Sequence, residues 1–472
     1  MVFSCSLFLL YFLPFFLIIY FVSPYKSRNL LIVIASVLFY SWGGPKYIFI
    51  IFLSIIIDYF IAKLIFTASG NKRKLWLTIG ISINLGFLIY FKYANFFLDN
   101  LNSSLSFLGF NTLSFAKVAL PIGISFFTFH EMSYIIDVYR KDKPPMKSLV
   151  DYSLYILFFP QLIAGPIIRF NEISDQIIDR KANENIDFKL SGFYRFIIGL
   201  SKKVLIANVL GAEADKIFAM NVHEIDTITA WVGITAYAFQ IYFDFSGYSD
   251  MAIGIARILG FVFPENFNNP YISQNITEFW KRWHITLSRW MRDYLYIPLG
   301  GNRVDTKRLY FNLWIVFFLS GLWHGAAWNF VAWGCFHGLF LIADRLFLLR
   351  FFKILGKFPS VIITFIITLI GWVFFRVENI NEAILFIFKM FSFHFEAFPF
   401  FETKFITVLL LAFVFSFFNI SKFGNRTENF FFANKHSLLG NYVLSFISII
   451  LFVVSLSYIT SSGFNPFIYF RF

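Results

Sequence analysis

The residues that could do chemistry are concentrated between Glu278 and Gly338. Three of the seven histidines of this 472-residue chain lie there, His284, His324 and His337. A histidine can take up a proton near neutral pH and return it, which in enzymes is worth about 10²–10⁴ in rate. The part of this stretch that ends at residue 308 also holds seven basic and three acidic residues. A cationic segment beside histidines in apolar sequence indicates a membrane site that receives an anionic ligand.

His324 is the strongest single candidate for a catalytic group. It lies between Trp323 and Gly325 at the end of an apolar run, and Trp328 and Asn329 follow shortly after. A histidine inside a helix is often only a hydrogen-bonded structural residue. The adjacent glycine, which would let a ligand approach the backbone, favours a catalytic role as general base. On the residues alone both roles stay open.

His337 follows His324 by 13 residues, which is about 220° around a continuous helix. One unbroken helix could not direct both side chains at one point. The spacing therefore predicts either a break after Gly325 or a structural role for one of the two histidines. We expect His337 to be structural, or to support the site from outside.

His284 lies in the segment WKRWHITLSRWMRD, where Trp283 and Trp290 are seven residues apart. This pattern is typical of an amphipathic helix at a membrane interface, with its indoles at headgroup depth. Such a helix could serve only as an anchor. Alternatively, its cations bind the phosphates of a cofactor while His284 points inward. The cations in question are Lys281, Arg282, Arg289, Arg292 and Arg303.

Asp244 and Asp250 form a pair of carboxylates in the apolar segment YFDFSGYSDMA. An ionisable residue inside a span costs about 2.5–3.5 kcal/mol on insertion scales, so each needs a partner or a function. Six residues apart, they lie on different faces of a continuous helix, and Gly247 between them would permit a break. They either pair with arginines such as Arg257 or line the site.

The composition requires that membrane helices position these residues. The chain is 58% hydrophobic and 14% charged, with a mean hydropathy of +0.69, which excludes an ordinary soluble domain. The sequence predicts an all-α, polytopic integral membrane protein of about 11 to 13 segments. The predicted spans are 3–22, 29–42, 46–66, 75–92, 117–137, 151–170, 190–210, 229–258, 309–323, 328–348, 360–375, 404–420 and 441–460.

One predicted span, 151–170, is interrupted by Pro160, Gly165 and Pro166. A broken helix at membrane depth is tolerated only where protein or a water-filled cavity surrounds it. The alternative is a loop on the surface. Both stay open from the sequence.

The net charge of +13 is explained by basic loops that face anionic lipid, and we expect no nucleic-acid partner. The basic loops follow the first, third and fifth spans, so odd spans end in the cytoplasm. We expect one membrane-embedded domain, 1–472, with its catalytic core at 117–350. His130 and Glu131 lack a second histidine at zinc spacing, so a metal site is not expected.

Five segments resemble the membrane-bound O-acyltransferase (MBOAT) superfamily, and within it the bacterial alginate O-acetyltransferase membrane subunits. They are PIGISFFTFHEMSYIIDVYR, FFPQLIAGPIIRF, IYFDFSGYSDMAIGIARILGF, PENFNNPYISQNITEFWKRWHITLSRWMRDYLYIPLGGNR and GLWHGAAWNFVAWGCFHG. The resemblance covers most of the chain. It implies a helical bundle around a funnel or tunnel, with His324 of the WHG motif essential. His284 would lie near it, with Lys281 replacing the family's usual arginine.

The resemblance also implies a function. An acetyl group would pass from a cytoplasmic donor, acetyl-CoA, across a bacterial inner membrane to a cell-envelope or extracellular polysaccharide. The acceptor would be an alginate-like exopolysaccharide or peptidoglycan. A periplasmic or surface-exposed acetyltransferase would be the partner that completes the transfer, and no permanent cofactor is expected.

In this interpretation His324 is the catalytic base, His284 beside it is the second catalytic residue, and the five cations above bind the donor. The residues expected to line or support the site are Asp244, Asp250, Trp283, Trp323, Asn329 and His337. Three alternatives remain. They are D-alanyl transfer to teichoic acid, a flippase or transporter for a lipid-linked glycan, and a scaffold that tolerates loss of His324. A transporter would favour inverted repeats in the two halves, and none stands out.

Overall fold

The computed structural model describes residues 1–395, 401–461 and 467–468, and within these ranges the chain contains helices and no strand. Contacts between elements divide it into two compact units. The N-terminal unit is residue 1 with 7–183 and 261–263, and the C-terminal unit is 2–6, 184–260 and the described residues from 264 onward. The single domain with a core at 117–350 stays a prediction.

Nine α-helices form the N-terminal unit. They are α1 (Leu13–Val22), α2 (Arg28–Ser41), α3 (Ile48–Thr67), α4 (Gly70–Leu88), α5 (Ala94–Phe107), α6 (Ile124–Arg140), α7 (Leu149–Leu157), α8 (Phe159–Leu162) and α9 (Phe170–Ile178). π-Helical turns cover Phe8–Phe12 and Ile89–Tyr93, and 3₁₀ turns cover Tyr25–Ser27, Pro45–Tyr47 and Lys181–Asn183.

The described part of the C-terminal unit contains thirteen α-helices. They are α10 (Ile186–Ser201), α11 (Asn208–Phe218), α12 (Thr227–Ile258), α13 (Ile276–Arg282), α14 (Ile285–Met291), α15 (Thr306–His324), α16 (Trp328–Ala343), α17 (Leu349–Leu355), α18 (Lys357–Arg376), α19 (Ile380–Met390), α20 (Thr403–Phe417), α21 (Lys422–Phe432) and α22 (Leu438–Ser461). π-Helical turns cover Lys202–Ala207, Arg292–Tyr296 and Asp344–Leu348, and 3₁₀ turns cover Pro270–Ile272 and Phe418–Ile420.

Membrane-spanning character is clear in several of these helices. Among the described residues, five helical segments are long and apolar enough to cross a bilayer, Pro45–Thr67, Gly70–Phe107, Lys357–Arg376, Thr403–Ile420 and Leu438–Ser461. In the last of these only 17% of the most apolar window is buried against protein. Its apolar side chains suit contact with lipid tails, which are as apolar as leucine. The predicted membrane protein is confirmed, whereas the count of 11 to 13 segments and the funnel stay predictions.

The interrupted span at 151–170 is buried inside the N-terminal unit, so the surface-loop alternative is wrong. Helix α7 ends at Leu157, α8 is a single turn, and all residues from 152 to 168 are buried. Side chains satisfy the freed backbone groups. The hydroxyl of Tyr155 donates to the carbonyl of Ile168 at 2.8 Å, and the amide of Gln161 donates to the carbonyl of Tyr155 at 2.6 Å.

Helix α12 forms the core of the C-terminal unit and is continuous through Gly247, so the break allowed there by the sequence does not occur. Glycine is needed at that point for close packing against α10. A Cβ atom at Gly247 would lie 2.7 Å from the carbonyl oxygen of Gly199, and one at Gly254 would lie 2.6 Å from that of Gly192. Two helices that approach this closely need small residues at the crossing.

Candidate active site

The three histidines of the candidate site are held at or near helix ends in the C-terminal unit. His284 connects α13 to α14, His324 is the last residue of α15, and His337 lies within α16. All three side chains are buried. The chain leaves the helix at residues 325–327 before α16 begins. Of the two alternatives, a helix break near Gly325 is therefore observed, with the helix ending one residue earlier at His324. It removes the separation of about 220° that one helix would impose.

Two tryptophans bring the imidazoles into one cluster. The ring of Trp333 lies 4.9 Å from that of His324 and 5.1 Å from that of His337, centroid to centroid. The ring of Trp323 lies 5.0 Å from that of His324 and 6.3 Å from that of His284. Large aromatic rings in such edge-to-face arrangements hold their neighbours in defined orientations. The sequence motif around His324 therefore supplies both the histidine and the rings that orient it.

Gly325 is needed for close packing, and the approach of a ligand to its backbone stays a prediction. A Cβ atom at Gly325 would lie 2.1 Å from Cε2 of Phe330. The hairpin of α15 and α16 also packs through Gly334, where a Cβ atom would lie 2.4 Å from the carbonyl oxygen of Phe317. These glycines let the two helices approach closely enough for Trp333 to contact both histidines.

The predicted interfacial helix around His284 is also wrong. His284 has φ of 42° and ψ of 54°, in the left-handed region, and this ends α13 before α14 begins. A non-glycine residue with positive φ is uncommon and often belongs to a functional site. Trp283 and Trp290 are only 1% and 4% exposed, because the bend turns both indoles into the protein. The inward orientation predicted for His284 is correct, and its Nδ1 lies 3.0 Å from Oδ1 of Asn266.

His337 is enclosed, as expected of a supporting residue. The indole N–H of Trp280 donates to its Nδ1 at 3.4 Å, and the two rings lie 5.0 Å apart. On the other side, a Cβ atom at Gly371 of α18 would lie 2.7 Å from Nε2 of His337. The ring therefore fills space between α13, α16 and α18.

Asp244 and Asp250 are held by cations other than the predicted Arg257. Nζ of Lys203 lies 2.7 Å from Oδ1 of Asp244, and Nζ of Lys202 lies 2.7 Å from Oδ2 of Asp250. The two lysines are adjacent in the chain and begin the π-helical turn that follows α10.

Arginine partners complete this arrangement. Arg195 lies 2.8 Å from Asp250, whereas Arg257 lies 3.9 Å from Glu265. Arg195 also pairs with Glu265. Both aspartates are thus held in ion pairs, as the first alternative predicted, and Asp250 also lines the cavity described below.

A cavity of about 370 Å³ lies next to the histidine cluster in the C-terminal unit. Its wall includes Asn266, which contacts His284, together with Asp250 and Arg289. Glu428 and Phe432 of α21 form another part of the wall. A ligand in this cavity would therefore lie one side chain away from His284.

Arg289 alone among the five predicted donor-binding cations lines this cavity. Arg282 and Arg292 are engaged with acidic neighbours at 2.9 and 2.6 Å, and Lys281 and Arg303 are exposed. Among the described residues, no carboxylate pairs with Arg289. Arg289 thus differs from the other four cations because it lines the cavity and has no carboxylate partner among the described residues.

The remaining predicted residues support the cluster from outside. Trp283 packs on Trp372, with ring centroids 4.8 Å apart. The side-chain amide of Asn329 donates to the carbonyl of Phe374 at 3.2 Å, next to Phe375, whose ring lies 5.3 Å from that of His324.

Several residues around the site were not identified from the sequence. Asn266, Trp280 and Trp333 lie in quoted motifs, and Arg195 and Lys202 lie in the predicted span 190–210, but nothing in their spacing marks them. The described ranges hold no group of three or more His, Cys, Asp or Glu side chains placed to bind a metal ion.

Comparison with known proteins gives a consistent result. The family model described as MBOAT, membrane-bound O-acyltransferase family, matches residues 4–381. A probable alginate O-acetylase AlgI of Pseudomonas aeruginosa is 46% identical over 395 residues, which is 83% of this chain and 75% of that protein. The peptidoglycan O-acetyltransferase of Helicobacter pylori is 39% identical over 419 residues, 81% of this chain and 78% of that protein. A teichoic acid D-alanyltransferase of Bacillus subtilis is 32% identical over 243 residues, 48% of this chain and 59% of that protein.

Proposed function

The chain belongs to the membrane-bound O-acyltransferase family and is an acyltransferase, and from this premise we propose that it O-acetylates a cell-envelope polysaccharide. Two of its similar relatives are named for O-acetylation of alginate and of peptidoglycan. Both align over more than four fifths of this chain. Their names support the reaction, and they leave both polymers as candidate acceptors.

The buried cluster of His284, His324 and His337 is the observation that carries the proposal. His324 acts as general base and accepts the proton of the acceptor hydroxyl while the hydroxyl oxygen attacks the thioester carbonyl. A carbon–oxygen bond forms, the carbon–sulfur bond breaks, and the proton on His324 passes to the leaving thiolate. The surrounding indoles exclude water, which would otherwise compete for the acetyl group.

The donor is acetyl-CoA, which approaches from the cytoplasmic side through the cavity that Asn266 and Arg289 line. Arg195 and Lys202 in the cavity wall are already neutralised by acidic partners. Arg289 is therefore the cation with charge available for a donor phosphate. The other four basic residues predicted to bind the donor would act at longer range, by attracting an anion to this face.

The reaction takes place in a bacterial inner membrane, with the donor on the cytoplasmic side and the polysaccharide on the other. A periplasmic or surface-exposed acetyltransferase completes the transfer to the polymer. The membrane-embedded helices and the acyltransferase relatives support this arrangement.

The test is acetyl transfer by the purified protein in lipid nanodiscs. Wild type and His324→Ala are incubated with labelled acetyl-CoA, an envelope extract and candidate partners, and free CoA and labelled polymer are followed. We expect His324→Ala to reduce CoA release about 10²–10⁴-fold with its melting temperature preserved. His223→Ala is the matched control, because this histidine is exposed. Wild-type rates from His324→Ala would refute the proposed base.

Transfer of D-alanine is the second candidate, because a relative with that name matches about half of the chain. Supplying a D-alanyl thioester in the same assay separates the two reactions. If thiol is released from the D-alanyl thioester and not from acetyl-CoA, the proposed reaction becomes D-alanylation instead of acetylation. Movement of a lipid-linked glycan without any thiol release would favour a flippase.

A further inference from the structure

Asn266 lies between the cavity and the histidine cluster, and it contacts the residues around His284 through both its side chain and its backbone. Its Oδ1 lies 3.0 Å from Nδ1 of His284. Its carbonyl oxygen accepts the backbone N–H of Ile285 at 2.9 Å. One residue therefore holds both the left-handed backbone and the ring of His284.

The neighbours of Asn266 fix the orientation of its amide. The backbone N–H and the hydroxyl of Thr286 lie 3.3 and 2.8 Å from Oδ1. A backbone N–H can only donate, so the atom facing it must be the amide oxygen. The amide nitrogen then faces the hydroxyl oxygen of Ser249, at 3.1 Å. The reversed amide would place two donors against each other.

This orientation determines which nitrogen of His284 carries the proton. Because Oδ1 of Asn266 accepts, Nδ1 of His284 must donate. A neutral imidazole has a single N–H, so its Nε2 keeps a lone pair. Nε2 is buried and has no hydrogen-bond partner among the described residues. The bend at His284 thus presents a proton-accepting nitrogen whose partner is still to be supplied.

We propose that Asn266 is a positioning residue that holds His284 in the Nδ1–H tautomer. It thereby keeps Nε2 available to accept a hydrogen bond or proton at the acyl-transfer site. The effect on catalysis rests on the proposed acetyl transfer. The tautomer of His284 follows from the hydrogen bonds alone and does not depend on that function. The strained conformation of His284 is held by the contacts to Asn266, as expected where a functional geometry opposes local preference.

The kinetic test compares Asn266→Leu with Asn266→Asp. Leucine removes the acceptor, so kcat for acetyl transfer should fall about 10²-fold, with a change in KM for acetyl-CoA of less than about threefold. Aspartate keeps an acceptor for both Nδ1–H and the backbone of Thr286, and should restore most of kcat. Asn312→Leu is the matched control, since this buried amide donates to the carbonyl of Leu299 away from the cluster.

The structural test is ¹⁵N NMR of histidine-labelled protein without any donor, with the His284 signals assigned by their loss in His284→Asn. Wild type should show a protonated Nδ1 and an unprotonated Nε2, and Asn266→Leu should lose this preference. Protonated Nε2 in wild type, or an unchanged tautomer and kcat in Asn266→Leu, would overturn the proposal. If Asn266→Leu does not fold, the wild-type spectrum and Asn266→Asp decide. Absence of acetyl transfer by wild type would refute the proposed function. The NMR spectrum would still show which nitrogen of His284 carries the proton.

Discussion

The C-terminal unit contains two sets of buried ionisable groups that differ in how they are partnered. In the ion-pair set, Asp244 and Asp250 face lysine and arginine side chains at 2.7–2.8 Å. In the histidine set, His284, His324 and His337 are enclosed mainly by aromatic rings. Both sets lie within apolar sequence, and both were candidates for chemistry on that ground. The two sets differ in their partners, which are charged side chains in the ion-pair set and mainly aromatic rings in the histidine set.

A buried charge that is held in an ion pair contributes to the stability of the fold. Separating two buried charges leaves each of them without a compensating partner. For these groups a proton exchange or a ligand contact that breaks the ion pair would therefore cost a large free energy. A neutral histidine among indoles breaks no ion pair when it reacts, and because burial disfavours its charged form, a proton that it accepts is readily passed on. We therefore expect the ion-pair set to control stability and the histidine set to control rate.

The strongest test of this division is Asp244→Leu. The change removes the carboxylate that the buried Lys203 faces at 2.7 Å, so the free energy of unfolding should fall by about 3–5 kcal/mol. Thermal unfolding in detergent monitors the loss. The double variant Asp244→Leu with Lys203→Met should recover part of it, because an apolar pair replaces the ion pair. An unchanged melting temperature in Asp244→Leu would place this aspartate outside the structural set.

The histidine set is tested by His284→Asn. Asparagine tolerates positive φ, so the bend between α13 and α14 should persist while the ring is lost. We expect kcat for acetyl transfer to fall about 10²-fold and the free energy of unfolding to change by less than about 2 kcal/mol. Unfolding of this variant, with normal turnover of the folded fraction, would move His284 into the structural set.

His337→Phe addresses the member of the histidine set expected to be structural. The substitution keeps an aromatic ring and removes the acceptor for the indole N–H of Trp280. An unsatisfied buried donor costs about 1–3 kcal/mol, whereas turnover per folded molecule should change less than about tenfold. Parallel unfolding and kinetic measurements distinguish the two effects. A loss of turnover beyond 10²-fold would show that His337 takes part in the reaction.

The smallest effect is expected at the cavity mouth. Arg289→Gln should raise KM for acetyl-CoA roughly two- to fivefold, because an exposed cation contributes little in water. Lys281→Gln, outside the cavity, should change KM less. The difference should shrink at high salt, where such charges are screened. Equal effects of the two variants would argue against a specific contact with Arg289.

The helical membrane architecture was predictable from local sequence, whereas the functional role of the segment from 278 to 338 stays a prediction. A helix break near Gly325 was one of two alternatives that the 13-residue spacing of His324 and His337 left open, and the structure contains it. The bend at His284 was not predictable, because the residue in the left-handed conformation is a histidine and the sequence has no glycine at this position to indicate a bend. The role of Asn266 was hidden for a different reason. Its partner His284 lies 18 residues away, across a 3₁₀ turn and helix α13.

Composition by itself indicated a membrane protein, and the motifs in their order resembled the acyltransferase family to which the chain belongs, whereas the role of His324 stays a prediction. Hydropathy and residue spacing act locally, so they can be read from the chain. Only the tertiary structure decided which buried groups have partners. It paired Asp244 with Lys203, separated Arg289 from the other cations and oriented His284 through Asn266. Such assignments depend on distances between segments far apart in sequence, and a hydrogen bond forms only within a narrow range of donor–acceptor distances and angles.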